Sequence, residues 1–176
     1  VIVMGVGGKP VTLDPARDTL ANVNAFGDVV PSARFMGGRE HEIALGGQQI
    51  DPNRAQIEQV LENSTMLLPA LVSQTGPFAG TEARWCGDEP PVGSGERTAA
   101  VAFYLALVTC RCLDLIGHQG AIIVEGPFAR NQAYLWMLAA ASSSPVCPIE
   151  SATGTSRGAA LLIPQSGRVG EAPPVA

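Results

Sequence analysis

The stretch AIIVEGPFARNQAYLWMLAAA, residues 121–141, joins two different periodicities. Ile122, Ile123 and Val124 make a short β-branched run that stops at Glu125. Gly126 and Pro127 follow, and within a few residues apolar side chains recur at helical spacing. The pattern predicts a strand over 121–124, a tight step, and a helix through about Ala141. Strand, turn and helix in close succession is the unit of α/β folds. In such folds ligands lie beyond the carboxyl ends of strands, near helix N-termini. A Gly-Pro step in that place is either a tight turn or a stretch of bare backbone for something to lie against.

The rest of the chain repeats the alternation. Val1–Met4 read as a strand stopped by Gly5, Gly7 and Gly8, and short strands are expected around Leu20–Phe26 and Val29–Val30. GGREHEIALGG (37–47) predicts a short helix opened near Gly38 and closed by Gly46 and Gly47. DPNRAQIEQVLEN (51–63) predicts another, with Asp51 as N-cap and Pro52 at the first helical position. ALVSQTGPFAG (70–80) reads as a strand entering a glycine turn, and residues 80–97 as a loop. Ser94 then caps a long helix in which Val101, Leu105, Val108, Cys112 and Leu115 recur, ended by Gly117. Val146–Ile149 form a short strand, SATGTSRGAALLI (151–163) a turn into a last helix, and the tail is expected to be disordered.

Composition narrows the function classes. The chain has 176 residues, one domain with a tail, and can bury a sizeable core. Its net charge is -5 and Lys9 is its only lysine, so a basic nucleic-acid surface is excluded. The apolar stretch 98–117 is interrupted by Arg111 and Asp114, which argues against a membrane span. Cys86, Cys110, Cys112 and Cys147 lack zinc or redox spacing, and read as reduced thiols, mostly core fillers, in a cytoplasmic protein. Trp85 and Trp136 read as packing residues. The chain opens inside a strand without an initiator Met, and is expected to be a fragment or a processed chain whose earlier residues are missing.

Familiar catalytic motifs fail. His41-Glu42 lacks the second histidine of a zinc-protease helix, and TGTSRG (153–158) lacks the Gly-Lys-Ser/Thr of a P-loop. No Gly-x-Ser-x-Gly elbow occurs, and no metal site is expected. Three glycine turns remain: Gly37-Gly38, Gly126-Pro127 and Thr153-Gly154-Thr155. Taken singly, each is an ordinary connection. Taken together, each leaves backbone uncovered where a helix begins. Unpaired N–H groups there favour phosphate, by about 0.3–1 kcal/mol for the dipole at an exposed site. An Asn nearby offers both a donor and an acceptor to a base or ribose edge. Arg39 and Arg130 flank two of the turns and are read first as solvated or salt-bridged.

Three segments in order, FMGGREHEIAL (35–45), VEGPFARNQAYLWMLAA (124–140) and SATGTSRGAALL (151–162), resemble the carboxyl-terminal domain of the FGGY family of carbohydrate kinases. The resemblance runs from about Val1 to Ile163 and is nearest to kinases of ketoses such as xylulose, ribulose, fuculose or rhamnulose. It implies an α/β ribonuclease-H-like domain of the actin-like ATPase superfold, a mixed sheet flanked by helices, with ATP held between two such domains. Residues 1–164 would be the nucleotide-binding domain and 165–176 a flexible tail.

The resemblance also implies site residues. Gly38 matches a glycine lying against the nucleotide, and Glu42 a position near the phosphates that is often Gln. Gly126 and Pro127 match a Gly-Gly pair close to the adenosine and α-phosphate, and Asn131 an Asn at the adenine end. Glu42 would repel a phosphate, and Pro127 lacks an N–H. These departures sustain an alternative: a degenerate kinase-like module with a binding or assembly role. No catalytic residue is expected within the chain. The general-base Asp, the sugar pocket and the Mg²⁺-facing acid would belong to an amino-terminal sugar-binding domain, leaving the isolated chain inactive. Without that partner the domain would expose apolar surface and could pair with a second copy.

Overall fold

The computed structural model describes residues 1–5, 11–24, 26–149 and 160. Its architecture is built around one helix. Thr98–Cys110 carries no charged residue and is apolar on nearly every face, and such a helix must be covered on most sides. It lies within α3 (Gly95–Leu115), opened by Ser94, whose hydroxyl accepts from the Arg97 N–H at 3.1 Å. Val101, Leu105 and Cys112 are fully buried along it. Around it pack α1 (Gly37–Leu45), α2 (Arg54–Glu62), α4 (Gln132–Ser142) and the strands Ile2–Met4, Val29–Arg34 and Met66–Leu68. α3 has the length and apolarity of a membrane-crossing helix, but 72% of that window is buried by these neighbours. Truncating Leu105 to Ala would cost about 2–5 kcal/mol by lost burial and cavity.

The strands form three small sheets. β1 (Ile2–Met4), β2 (Thr19–Val23) and β3 (Val29–Arg34) make an antiparallel sheet in the order β1-β3-β2. Its register pairs Val3 with Ala33 and Val23 with Val29. β4 (Met66–Leu68) and β5 (Arg84–Cys86) form an antiparallel pair, and β6 (Ile122–Glu125) and β7 (Val146–Ile149) a parallel one crossed over by α4.

Several boundaries differ from the sequence expectation. The strand expected over residues 70–80 lies earlier, at Met66–Leu68; Gly76 and Gly80 have positive φ and turn the chain instead. The expected loop 80–97 contains β5, because Trp85 pairs with Leu67 and packs against the core. The N-cap of α2 is Asn53 rather than Asp51: Asn53 Oδ1 accepts from the Gln56 N–H at 3.0 Å, and Gln56 reaches back to the Asn53 N–H at 2.9 Å. That reciprocal capping box satisfies two orphan donors, so it prevails over a lone Asp before a Pro. Two of the four thiols are not core fillers: Cys86 and Cys147 are exposed, while Cys112 is buried and Cys110 half-buried. Burial pushes the Cys110 thiol up to about 11 and the Cys112 thiol up to about 12, so both stay protonated. Gly7 and Gly8, the last-helix segment 151–163 except Ala160, and the tail lie outside the described residues.

Arg97 ties the ends of three segments together. Its guanidinium donates to the Ala44 carbonyl at 2.6 Å, the Pro90 carbonyl at 2.7 Å and the Glu89 carboxylate at 2.7 Å. It also sits 5.2 Å from the Trp85 ring centroid. Only a planar fork serves so many acceptors at once, and the ring face covers its remaining surface.

Candidate nucleotide cleft

Two walls define the site. The first begins where β3 runs through Phe35 into α1. Phe35 is buried, and a Cβ on Gly37 would stand 2.8 Å from its ring, so α1 can start this close to the sheet only at a glycine. Met36, the N-cap residue, makes no side-chain capping bond. The first N–H groups of α1 therefore lack an intrahelical acceptor. Gly38, the second residue, has open space where a Cβ would be.

The second wall is the step after β6. Gly126 has φ 87° and ψ −159°, a region open essentially only to glycine. Pro127 then opens a 3-10 helix, Pro127–Arg130, at a first position where its missing N–H leaves no bond unmade. Asn131 closes that turn and caps α4, its Oδ1 accepting from the Tyr134 N–H at 3.0 Å. With Oδ1 engaged, the amide nitrogen carries the donors that Asn131 can offer elsewhere.

Aromatic contacts bind the walls together. The His41 ring on α1 meets Phe128 edge-on, at 5.8 Å and 88°. Phe128 packs on Tyr134 at 5.2 Å, and the Tyr134 hydroxyl donates to Thr109 Oγ1 of α3 at 3.1 Å. Burial lowers the His41 pKa and raises that of Tyr134, so both are held neutral near pH 7.

Between the walls lies a cleft of about 640 Å³, lined by Gly38, His41, Pro127, Arg130, Asn131 and Trp136 among others. Its volume is that of a small-molecule site. Of the five residues marked from the sequence, Gly38, Pro127 and Asn131 meet here. Glu42 and Gly126 do not line it: Glu42 is exposed and paired with Arg39 at 2.9 Å, and Gly126 shapes the backbone that leads into it. Arg130 makes no ion pair among the described residues, whereas Arg39 is salt-bridged as expected. The third glycine turn, residues 153–155, lies outside the described residues.

Sequence reasoning missed part of the lining. Gln49, Asp51 and Arg54 approach from the segment before α2 and its first turn. Released from the cap that Asn53 supplies, Asp51 is available to the cleft. Trp136, expected to pack, is 55% exposed and lines the cleft. Five positions past the cap of α4, it points away from the face that carries Tyr134 and Leu138 into the core. The helical phase of α4 carried that signal, but the helix is apolar on nearly all sides and conceals it.

The model of the carbohydrate kinase FGGY carboxyl-terminal domain matches residues 1–172. The chain belongs to the FGGY family of carbohydrate kinases. A solved carbohydrate kinase from Novosphingobium aromaticivorans is similar at 38% identity, with a TM-score of 0.77. The similarity covers 92% of this chain and 36% of that one, so this FGGY domain spans about a third of the solved kinase's length. No curated protein matches. The α/β class and the actin-like ATPase fold expected from the resemblance are those of this kinase domain.

Proposed function

We propose that this FGGY domain is the nucleotide-binding half of an ATP-dependent kinase that phosphorylates a ketose hydroxyl. The supporting observation is the convergence of Gly38, Pro127 and Asn131 on one cleft beside the uncapped start of α1. Backbone N–H groups there suit the phosphates. The amide nitrogen of Asn131 suits the adenosine end, and Arg130, which lines the cleft with no ion pair among the described residues, suits phosphate charge. In the complete protein the γ-phosphoryl group passes to a sugar oxygen, and an Asp of the amino-terminal domain takes the hydroxyl proton. Among the described residues no three His, Cys, Asp or Glu side chains converge. Mg²⁺ would therefore be held by phosphates and by the other domain, supplying charge neutralisation there.

On this reading residues 1–164 form the nucleotide domain and 165–176 its tail. The amino-terminal sugar domain is the natural partner, with a second copy a further one. The free thiols suit a reducing cytoplasm. The competing reading, a degenerate module without catalysis, draws on Glu42 in place of the frequent Gln and on Pro127, which lacks an N–H.

Calorimetry with ATP and ADP on the full-length protein, followed by a coupled kinase assay over a ketose panel, separates the two. The kinase reading expects nucleotide binding and turnover by the whole protein, and no turnover by this chain alone. A full-length protein that binds neither nucleotide overturns it.

A further inference from the structure

The geometry points to Trp136 as the stacking wall for the nucleobase, a residue that sets affinity for the base rather than for the phosphates. The inference rests on the nucleotide reading of the cleft. Its starting observation is an indole left 55% exposed on a helix whose other aromatic, Tyr134, is buried with its hydroxyl bonded. Trp136 is not stranded on open surface: it lines the cleft, one and a half helical turns beyond Asn131.

Pro52 and Ile57 line the same cleft and offer apolar surface, and Gln49 and Asp51 offer hydrogen-bonding groups. The cleft lining thus combines the uncapped start of α1 and Arg130 with the flat indole of Trp136, apolar side chains and polar edges. A nucleoside phosphate joins the complementary chemistries, an anion and a flat aromatic ring with hydrogen-bonding edges. An aromatic face binds any base through its π-system, while hydrogen-bonding groups at the edge choose among bases. Trp85 supplies no alternative platform, since it packs on the core and its ring is occupied by Arg97.

The test uses the full-length protein with Trp136→Ala and Trp136→Phe, measured by calorimetry against ATP, ADP and inorganic tripolyphosphate. Loss of stacking weakens binding by roughly ten- to a hundred-fold, the range for removing one base–aromatic contact. That loss is expected for ATP and ADP with Trp136→Ala, with most of it restored by Trp136→Phe and none for tripolyphosphate. Saturating ATP should also quench indole fluorescence in the wild-type protein by an amount that Trp136→Phe abolishes, a readout that survives if the alanine variant fails to fold. Wild-type binding of ATP with Trp136→Ala within twofold, or with no Trp136-dependent quench, overturns the inference and leaves the kinase reading standing. A lowered melting temperature with unchanged ATP affinity does the same, and assigns the indole to contact with the other domain. Absence of any nucleotide binding by the wild type overturns both.

Discussion

The Tyr104 hydroxyl donates to Oε2 of Glu40, linking α3 to the first turns of α1 across 64 positions of sequence. Glu40 is only 2% exposed, and its other oxygen accepts from the Val72 N–H at 3.3 Å. Burial and the neighbouring carboxylate raise the Tyr104 pKa, so the phenol keeps the proton it donates. Two positions after Gly38, this bond anchors the end of α1 that opens on the cleft. Tyr104→Phe would leave a buried carboxylate oxygen without its donor. Urea unfolding should then show a loss of about 1–3 kcal/mol. A change under 0.5 kcal/mol would mean that the bond contributes little beyond the packing of the ring.

Asn131 has two duties that substitution can separate. Its Oδ1 caps α4, while its amide nitrogen makes no hydrogen bond among the described residues. Asn131→Ala should cost about 0.5–2 kcal/mol of stability and weaken ATP binding in the full-length protein. Asn131→Ser keeps a capping oxygen and removes the amide donors. It should hold stability near wild type yet still raise the ATP Michaelis constant, with sugar affinity unchanged in both variants. Wild-type ATP constants in the serine variant would reduce Asn131 to a cap.

Gly126 is required by conformation rather than by crowding. Among the described residues no atom beyond its chain neighbours lies within 4 Å of where its Cβ would stand, but its φ of 87° with ψ near −159° excludes other residues. Gly126→Ala should therefore lower stability by about 1–3 kcal/mol through backbone strain. Because the strain would shift the 3-10 helix, ATP affinity should fall with it. Thermal melts of the two proteins check the first part, and an unchanged melting temperature would contradict the backbone geometry.

His41 makes stability depend on pH in a predictable sense. Burial holds its folded pKa below the unfolded value of 6.5. The unfolded chain thus takes up the proton first as pH falls below about 6.5, and stability is lost through that window down to the lowered folded pKa. Above it His41 is neutral in both states and contributes no pH dependence. His41→Phe keeps an aromatic ring against Phe128 and should flatten the wild-type slope between about pH 6.5 and the onset of carboxylate titration. Parallel slopes for the two proteins in urea melts would assign the pH dependence to other groups.

Much of this fold was legible because local chemistry settled it. Ser94 and Gly117 bracket α3 where the apolar period begins and ends, and Gly46 closes α1 with φ 60°. The Gly126-Pro127 step was marked by its residues alone, since few sequences tolerate that backbone. The start of α2 was misplaced because Asp51 and Asn53 both suit a cap. The choice went to Asn53 through the reciprocal bond with Gln56, a pairwise effect that single-residue preference does not contain. The strand expected over 70–80 falls instead at β4, and β5 falls in an expected loop, because a strand of three residues has too little periodicity to announce itself and exists through its partner.

By itself, the sequence determined the alternating elements, the long apolar helix and the glycine turns at Gly37-Gly38 and Gly126-Pro127, each fixed by interactions within a few residues along the chain. Only the tertiary structure decided which turns meet. It brought Gly38 and Asn131, 93 positions apart, onto one cleft through the His41–Phe128–Tyr134 contacts, and turned Glu42 aside into its pair with Arg39. It likewise left Trp136 open to the cleft instead of in the core. The physical reason is that a helix apolar on most of its faces can satisfy its burial in several rotations, and the packing of α4 against α3 selects one.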